Sequence, residues 1–511
     1  MARKLNVPLP ALGLVVDRPG EFVDARAVTN IKNMEFERSI IHKRIGASPL
    51  GSALAERVQR VFELQVGGST RLMRIGMTRA EAYNKSTDVW SSILTAPLTG
   101  TEEDMVSYGF PVLAGVKIAV FTNGIDAIKK VGVAGNVSDL GGSPPKARFI
   151  RQFGDYTVIA SVIDGGDDFR SRVQWPDTGE PEVWTGGNAG SQELNQDQED
   201  ITGMGVFGGA LTVHKSKSIY LGSLVSTSGV FHFERRNTGA GTVSEASIQN
   251  LPSGEQIFLA SDGIRIFNGI TAPLVDSPIQ DELRDGMNPA YAYKAQSVFV
   301  AERDEYWVCV VMGSDTEPQT IYKYNYRTRQ MYKDTRASLT ALGLFLNTQE
   351  DAWDDDDESW DSDTTRWDSV ENLSLNPVVI LGYSNGKTLK RTSNTNDDDG
   401  VAVEGLWETK DFGPEDFGLK DMDRMLRWKG MELWAKGTAM TVFISTDGGT
   451  SWTQAKVVAL GGEYPTDAAP INVFFDKVSS RMRFRIVNST AGGSYTLKKY
   501  QIEAVQRESR K

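Results

Sequence analysis

Residues 445–452 read STDGGTSW, and their types and spacing suit a braced polar turn. Asp447 can accept hydrogen bonds from the turn's own amides, Gly448 and Gly449 can take positive φ, and Trp452 can pack beneath the loop. Downstream, Arg481, Arg483 and Arg485 alternate in RMRFR, so on a strand they share one face; Tyr495 follows. An arginine cluster, a tyrosine nucleophile and a carboxylic acid together would hydrolyse an acidic glycoside. No motif fixes the catalytic carboxylate, and a solvated or interface-facing sheet surface explains the arginines at least as well.

The octet at 445–452 matches the Asp-box pattern of sialidase-like propellers, where it forms a hairpin turn. It therefore keeps open a carbohydrate-active or carbohydrate-binding propeller, with a receptor-binding module as a further alternative. Other candidates are weaker. His42, His214 and His232 lie far apart, so metal or triad chemistry would need three distant segments to converge. His214, in LTVHKSK, reads as a strand residue, and His42, beside Lys43 and Arg44, as a surface one. Cys309 is the single cysteine; inside WVCVV it reads as a small core residue, and it excludes an intrachain disulfide or a cysteine metal site. The runs GGSTRLMRIG and TGMGVFGG lack the Gly-Lys-Ser/Thr of a phosphate loop and open no helix. Residues 351–369 read DAWDDDDESWDSDTTRWDS, dense enough in carboxylates for Ca²⁺ but without the EF-hand ligand pattern and central Gly. They read as an acidic surface connection with Trp353, Trp360 and Trp367 docked on neighbouring sheets. No catalytic, cofactor-binding or metal residue is assigned, and the expectation is a protein that is not an enzyme and carries no cofactor.

Charge narrows the classes further. Lys and Arg total 55 against 67 Asp and Glu, so 55 − 67 = −12. A protein that grips phosphates electrostatically needs the opposite balance. An acidic surface past which nucleic acid slides remains open. Hydrophobic residues make up 40% of the chain, enough for a core. The longest strongly apolar run, WVCVVM at 307–312, is far short of the ~20 residues that span a membrane, and no signal peptide is read at the N-terminus. Absence of disulfides fits assembly in a reducing compartment.

The elements that must position these residues are strands. Fifty glycines and eleven tryptophans suit tight turns between aromatic-rich strands. IAVFTNGIDAI (118–128), IFLASDGIRIFNGI (257–270) and VVILGYSNGKTL (378–389) each read as apolar run, Asn-Gly or Asp-Gly turn, apolar run. Further strand groups at 58–75, 147–162, 204–220 and 297–326 recur roughly every 40–50 residues, the length of one four-stranded blade. The chain therefore reads as all-β, a β-propeller of about six or seven blades with a smaller C-terminal β-sandwich-like domain. A set of β-sandwiches uses the same grammar. The expected division is an N-terminal extended segment packing on the assembly (1–57), the propeller (58–392) and the C-terminal domain (393–511). One short surface helix is expected at PIQDELR (278–284), with Ser277 as N-cap, Pro278 at its first position and Gly286 at its end.

Several stretches, in order, resemble the tail hub or nozzle proteins of short-tailed bacteriophages, including the packaged-DNA stabilisation type. They are PGEFVDARAVTNIKN and HKRIGASPL near the start, then VFTNGIDAIKK. Next come RVQWPDTGEPEVW, with Trp175, Asp177, Gly179, Pro181 and Trp184, and IFLASDGIRIFNGITAPL. The Trp-Asp triplet and RFRIVNSTAGGSYTLKKYQIE close the series, which spans Pro19 to Glu503. The resemblance implies a virion tail protein, assembled in the host cytoplasm, forming a homo-oligomeric ring of about six copies below the portal and adaptor. The ring would continue the DNA channel, retain packaged double-stranded DNA and let it pass on ejection, without sequence-specific contact. It would also present surfaces for tail fibres, spikes or a needle. Acidic clusters at Asp354–Asp357 and Asp397–Asp399 would suit a wall that does not grip a sliding polyanion.

Overall fold

The computed structural model describes residues 2–9, 12–37, 40–225, 229–236, 238–275, 277–346, 377–421, 424–467 and 469–506. The acidic segment 351–369, with Asp354–Asp357 and the three Trp-Asp pairs, lies outside them.

Among the described residues, seven small sheets, antiparallel within these ranges, follow one another along the chain, at 60–92, 107–139, 146–193, 201–236, 249–267, 296–335 and 339–391. They form a seven-bladed β-propeller. From the second blade to the seventh, each blade's first strand packs beside the next blade's first strand; Leu339–Phe345 returns to Arg60–Val66, and Phe62 stacks on Tyr108 between the first and second blades. Side chains tie these seams. Ser107 Oγ accepts from the amide of Ile150 at 2.9 Å, Ser297 Oγ donates to the carbonyl of Ala246 at 2.8 Å, and Thr340 Oγ1 donates to that of Val58 at 2.5 Å. The closing seam is tight enough that a Cβ at Gly343 would stand 2.7 Å from the carbonyl oxygen of Val61. Radial stacking buries both faces of sheets that would be wet alone.

The seventh blade is completed from far upstream. Ala47–Pro49 pairs antiparallel with Thr388–Arg391, and Asp398 pairs with Ala47 on its other side. The upstream strand thus covers the outer side of Thr388–Arg391, while Leu339–Phe345 remains the innermost strand of the blade.

Beyond the propeller, two five- and six-stranded sheets face each other. One holds Leu426–Gly437, Ile471–Ser479 and Tyr495–Gln506; the other holds Gly405–Glu408, Ala439–Ser445, Thr453–Ala459 and Arg483–Asn488. Trp407 meets Tyr500 edge-on across the gap, ring centroids 5.8 Å apart. The N-terminal stretch is woven into this unit rather than lying extended over it. Ala2–Val7 pairs with Tyr495–Gln506 from Ala2↔Val505 to Val7↔Tyr500. Asn30–Lys32 pairs with Gly405–Glu408, and Ile40–Lys43 with Met34–Glu37 and with Thr496 and Leu497. One apolar cluster runs from Leu259 and Tyr322 of the propeller through Met34 to Trp428 and Ile502, so the two units share a core.

A buried ionic network sits at this junction. Glu35 is fully buried; Lys323 Nζ lies 2.9 Å from its carboxylate, Arg391 2.9 Å and Arg303 3.2 Å. Lys323 also meets Asp334 at 2.5 Å, and Arg44 and Arg336 hold Asp398 at 2.6 and 2.8 Å. Burial alone would raise the pKa of Glu35, but Arg391, Lys323 and Arg303 together hold it well below the usual carboxylate range.

The single α-helix among the described residues, Gln280–Gly286, starts two residues later than the Ser-Pro signal suggests. Ser277 is not its cap; Ile279 takes that position, and Gly286 is its last residue. Leu283 is the face it buries.

Trp175 and Trp184 are 6% and 7% exposed. Trp175 packs on Phe231 of the next blade at 4.8 Å and donates its indole N–H to the carbonyl of Asn188 at 3.0 Å. Trp184 fills the seam beside Val120, Ile150 and Ile159. Replacing either with Ala is expected to cost ~3–5 kcal/mol, because each leaves a cavity between blades. Urea denaturation reads this out; unchanged midpoints in both variants would refute the placement.

Candidate functional site

The turn at 445–452 joins Ala439–Ser445 to Thr453–Ala459 in the C-terminal unit. Asp447 accepts from Ser445 Oγ at 2.6 Å and from the amide of Ser451 at 2.9 and 3.0 Å, and these bonds hold its carboxyl below the usual range. Gly448 and Gly449 have φ of 71° and 91°. All of Asp447's bonds serve the turn itself, so the motif is a brace.

The three arginines are each neutralised. Arg481 binds Glu415 at 2.8 Å and Glu21 at 3.1 Å. Arg483 makes a two-pronged pair with Asp411 at 2.8 and 2.7 Å. Arg485 binds Glu408 at 2.7 Å and lies 3.9 Å over the ring of Trp452. A guanidinium already engaged by a carboxylate is not available to an acidic substrate. Tyr495 is on the opposite sheet, 1% exposed, with its hydroxyl beside Trp407; burial pushes its pKa up. The arginines and the tyrosine therefore do not converge on one open site.

The remaining sequence candidates are dispersed. His214 is buried, its Nε2 2.9 Å from Gln256 Oε1, and burial depresses its pKa to about 4. His42 is half-buried within a sheet rather than on the surface, and His232 is exposed on a blade edge. Cys309 is buried among Trp307, Ile321 and Leu339, which pushes its thiol pKa up. Among the described residues no group of three or more His, Cys, Asp or Glu could hold a metal ion, and no helix is long and apolar enough to cross a membrane. Asp397–Asp399 does not form a free acidic wall. Asp397 accepts from the amide of Gly492 at 2.7 Å, Asp398 sits between Arg44 and Arg336, and Asp399 binds Lys387 at 2.5 Å.

Inner strands of the first, second, fifth, sixth and seventh blades line a cavity of about 360 Å³ on the lumen side of the propeller. Arg60 and Glu63 from the first blade, Tyr108 and Lys117 from the second, Gln249 from the fifth and Ser297 from the sixth line it. Arg60 is 7% exposed and donates from Nη1 to Gln296 Oε1 at 2.6 Å. Glu63 accepts from the amide of Leu346 at 3.0 Å and from Gln65 Nε2 at 2.9 Å, while burial raises its pKa. Phe62 stacks on Tyr108 at 4.4 Å, and Phe110 meets Tyr108 edge-on at 5.4 Å.

No protein-family model and no curated protein matches this sequence. Among solved structures, the β-propeller domain of Myceliophteria thermophila Cps50 (Swd1) is similar, with a TM-score of 0.42 and 9% identity. The match covers 68% of this chain and 99% of that one. The propeller assignment rests on the strand pairing and seam contacts of this chain.

Sequence reasoning did not single out Arg60, Glu63 or Lys117. The available signal was the charge at 60 and 63 inside RVFELQV, a strand that is otherwise mostly apolar and innermost in its blade. What that signal lacks is the partner set, because the other lining residues come from four further blades.

Proposed function

We propose that this chain is a structural ring component of a short-tailed bacteriophage tail, which continues the DNA channel below the portal and adaptor. The observation that carries the reading is the ordered resemblance from Pro19 to Glu503, two of whose motifs fall on joints of the fold. HKRIGASPL supplies a strand of the two-sheet unit, Arg44 of the ionic junction and the closing strand of the seventh blade. RVQWPDTGEPEVW supplies Trp175 and Trp184, which fill two neighbouring blade seams.

The chemistry supports a non-catalytic role. The arginine triplet is paired, the tyrosine is buried, and the net charge of −12 disfavours a grip on phosphate. The conduit in this proposal runs between copies, each propeller serving as a wall block of the ring. In this reading the ring has about six copies, sits in the virion tail after assembly in the host cytoplasm, and carries fibres, spikes or a needle on its outer face.

Electron microscopy of the purified chain, alone and mixed with a portal–adaptor complex, tests this. The expected result is a ring with an open axis, or a ring formed on the adaptor. A strictly monomeric protein that ignores the portal–adaptor complex would overturn the proposal.

A further inference from the structure

We propose that the propeller lumen binds a small ring-bearing carboxylate, held by Arg60 and Lys117 against the Tyr108–Phe110 wall. The inference does not depend on the tail reading, because it rests on the lumen alone.

The starting observation is a charge imbalance. Arg60 is 93% buried by its 7% exposure, yet among the described residues it makes no ion pair and one hydrogen bond, to a neutral glutamine. Its Nε is buried and without a partner. A buried charge is costly unless it is paired and fully hydrogen-bonded. The junction shows how this protein treats its other buried arginines: Arg44 and Arg336 each meet a carboxylate. Arg60 is left with an open guanidinium edge in a cavity, and an anionic ligand would complete it.

Lys117, exposed and in no ion pair among the described residues, adds a second cation at the same cavity, 5.4 Å from the centroid of Phe110, and Arg60 lies 5.0 Å over Tyr108. The guanidinium fork matches a carboxylate in two parallel hydrogen bonds. Glu63 shares the cavity and repels a dianion more than a monoanion, which favours carboxylate over phosphate. Tyr108 and Phe110, half-buried and backed by the buried Phe62, give the cavity an aromatic side against which a flat or pyranose ring packs. Gln65, Gln249 and Ser297 place polar atoms around the remaining space. The volume suits one ring with a short substituent and lies at the small end of ordinary ligand sites.

Two sources share this chemistry, an aromatic acid and a sugar acid. Calorimetric titration of the full chain with sodium benzoate, sodium glucuronate and sodium phosphate, at matched ionic strength, separates them. The expected result is saturable binding of benzoate or glucuronate in preference to phosphate. Arg60→Met should weaken it at least ~10-fold, as loss of a charge-assisted pair does. Lys117→Met, at an exposed position, should weaken it about threefold and keeps the test valid if Arg60→Met does not fold. No saturable binding of either carboxylate into the tens of millimolar, phosphate binding as tightly as both, or equal affinity in Lys117→Met and wild type would overturn the proposal.

Discussion

Removal of residues 1–49 is expected to abolish cooperative folding of the whole chain. The deletion takes the strands Ala2–Val7, Asn30–Lys32, Met34–Glu37 and Ile40–Lys43 from the two facing sheets, and Ala47–Pro49 from the seventh blade. It strips Tyr495–Gln506 of its pairing with Ala2–Val7 and opens Thr388–Arg391 to solvent. Each loss leaves unpaired backbone on the strand it uncovers, and unpaired edges recruit other chains. The deletion also removes Glu35 and Arg44 from the ionic junction and Ile31, Met34 and Ile41 from the shared core. The truncated chain should therefore be recovered mainly as aggregate, with no sigmoidal melt by circular dichroism. An N-terminal arm serving only assembly makes the opposite forecast: truncation would spare the monomer and affect only ring formation. A soluble truncated protein melting close to the full chain would show that the woven strands are dispensable.

Glu35→Gln is the point substitution expected to cost most at the junction. The carboxylate is fully buried and faces Lys323, Arg391 and Arg303 at once. Neutralising it leaves three cations crowded with less opposing charge, and breaking a buried pair costs ~3–5 kcal/mol. The same geometry sets a pH dependence. The folded pKa of Glu35 is depressed below its ordinary value of 4.5, so the unfolded chain takes up a proton more readily than the folded one. Stability from this group is fully present above the unfolded pKa and is lost as pH falls toward and through the folded pKa. Wild-type protein should lose denaturation free energy on acidification through this window, and Glu35→Gln should show a shallower slope there. Equal slopes in both proteins would sink this assignment. The substitution is also informative about architecture, because Glu35 belongs to the N-terminal stretch while its three partners belong to blades six and seven.

Blade existence was legible in the sequence, blade details less so. The alternation in IFLASDGIRIF corresponds to Gln256–Ala260 and Gly263–Phe267, paired from Gln256↔Phe267 to Ala260↔Gly263. The two turn residues are Ser261 and Asp262, so Gly263 opens the second strand instead of closing the turn. The Asn123-Gly124 signal marks a longer loop than a two-residue hairpin. Asn123 Oδ1 accepts from the amides of Ile125 and Asp126, and Asp126 is held in turn by Thr99. In both cases a residue's local preference for a turn is real, but register is set by which side chains the neighbouring blade will bury.

The chemistry was legible in the same partial way. The sequence sufficed to mark the brace at Asp447, because all its partners lie within a few residues. It could not reveal that Arg481, Arg483 and Arg485 are each cancelled, since their partners Glu415, Asp411 and Glu408 sit on a different segment.

By itself, then, the sequence determined the all-β class, the blade rhythm and the braced turns, since these follow from alternation and from backbone preferences acting over a few residues. Only the tertiary structure decided that Ala47–Pro49 completes the seventh blade, that the N-terminal strands belong to the C-terminal sheets, and that Arg60 meets no carboxylate among the described residues. Those outcomes depend on pairings between distant segments, whose energy comes from burial and charge compensation after the chain has folded back on itself.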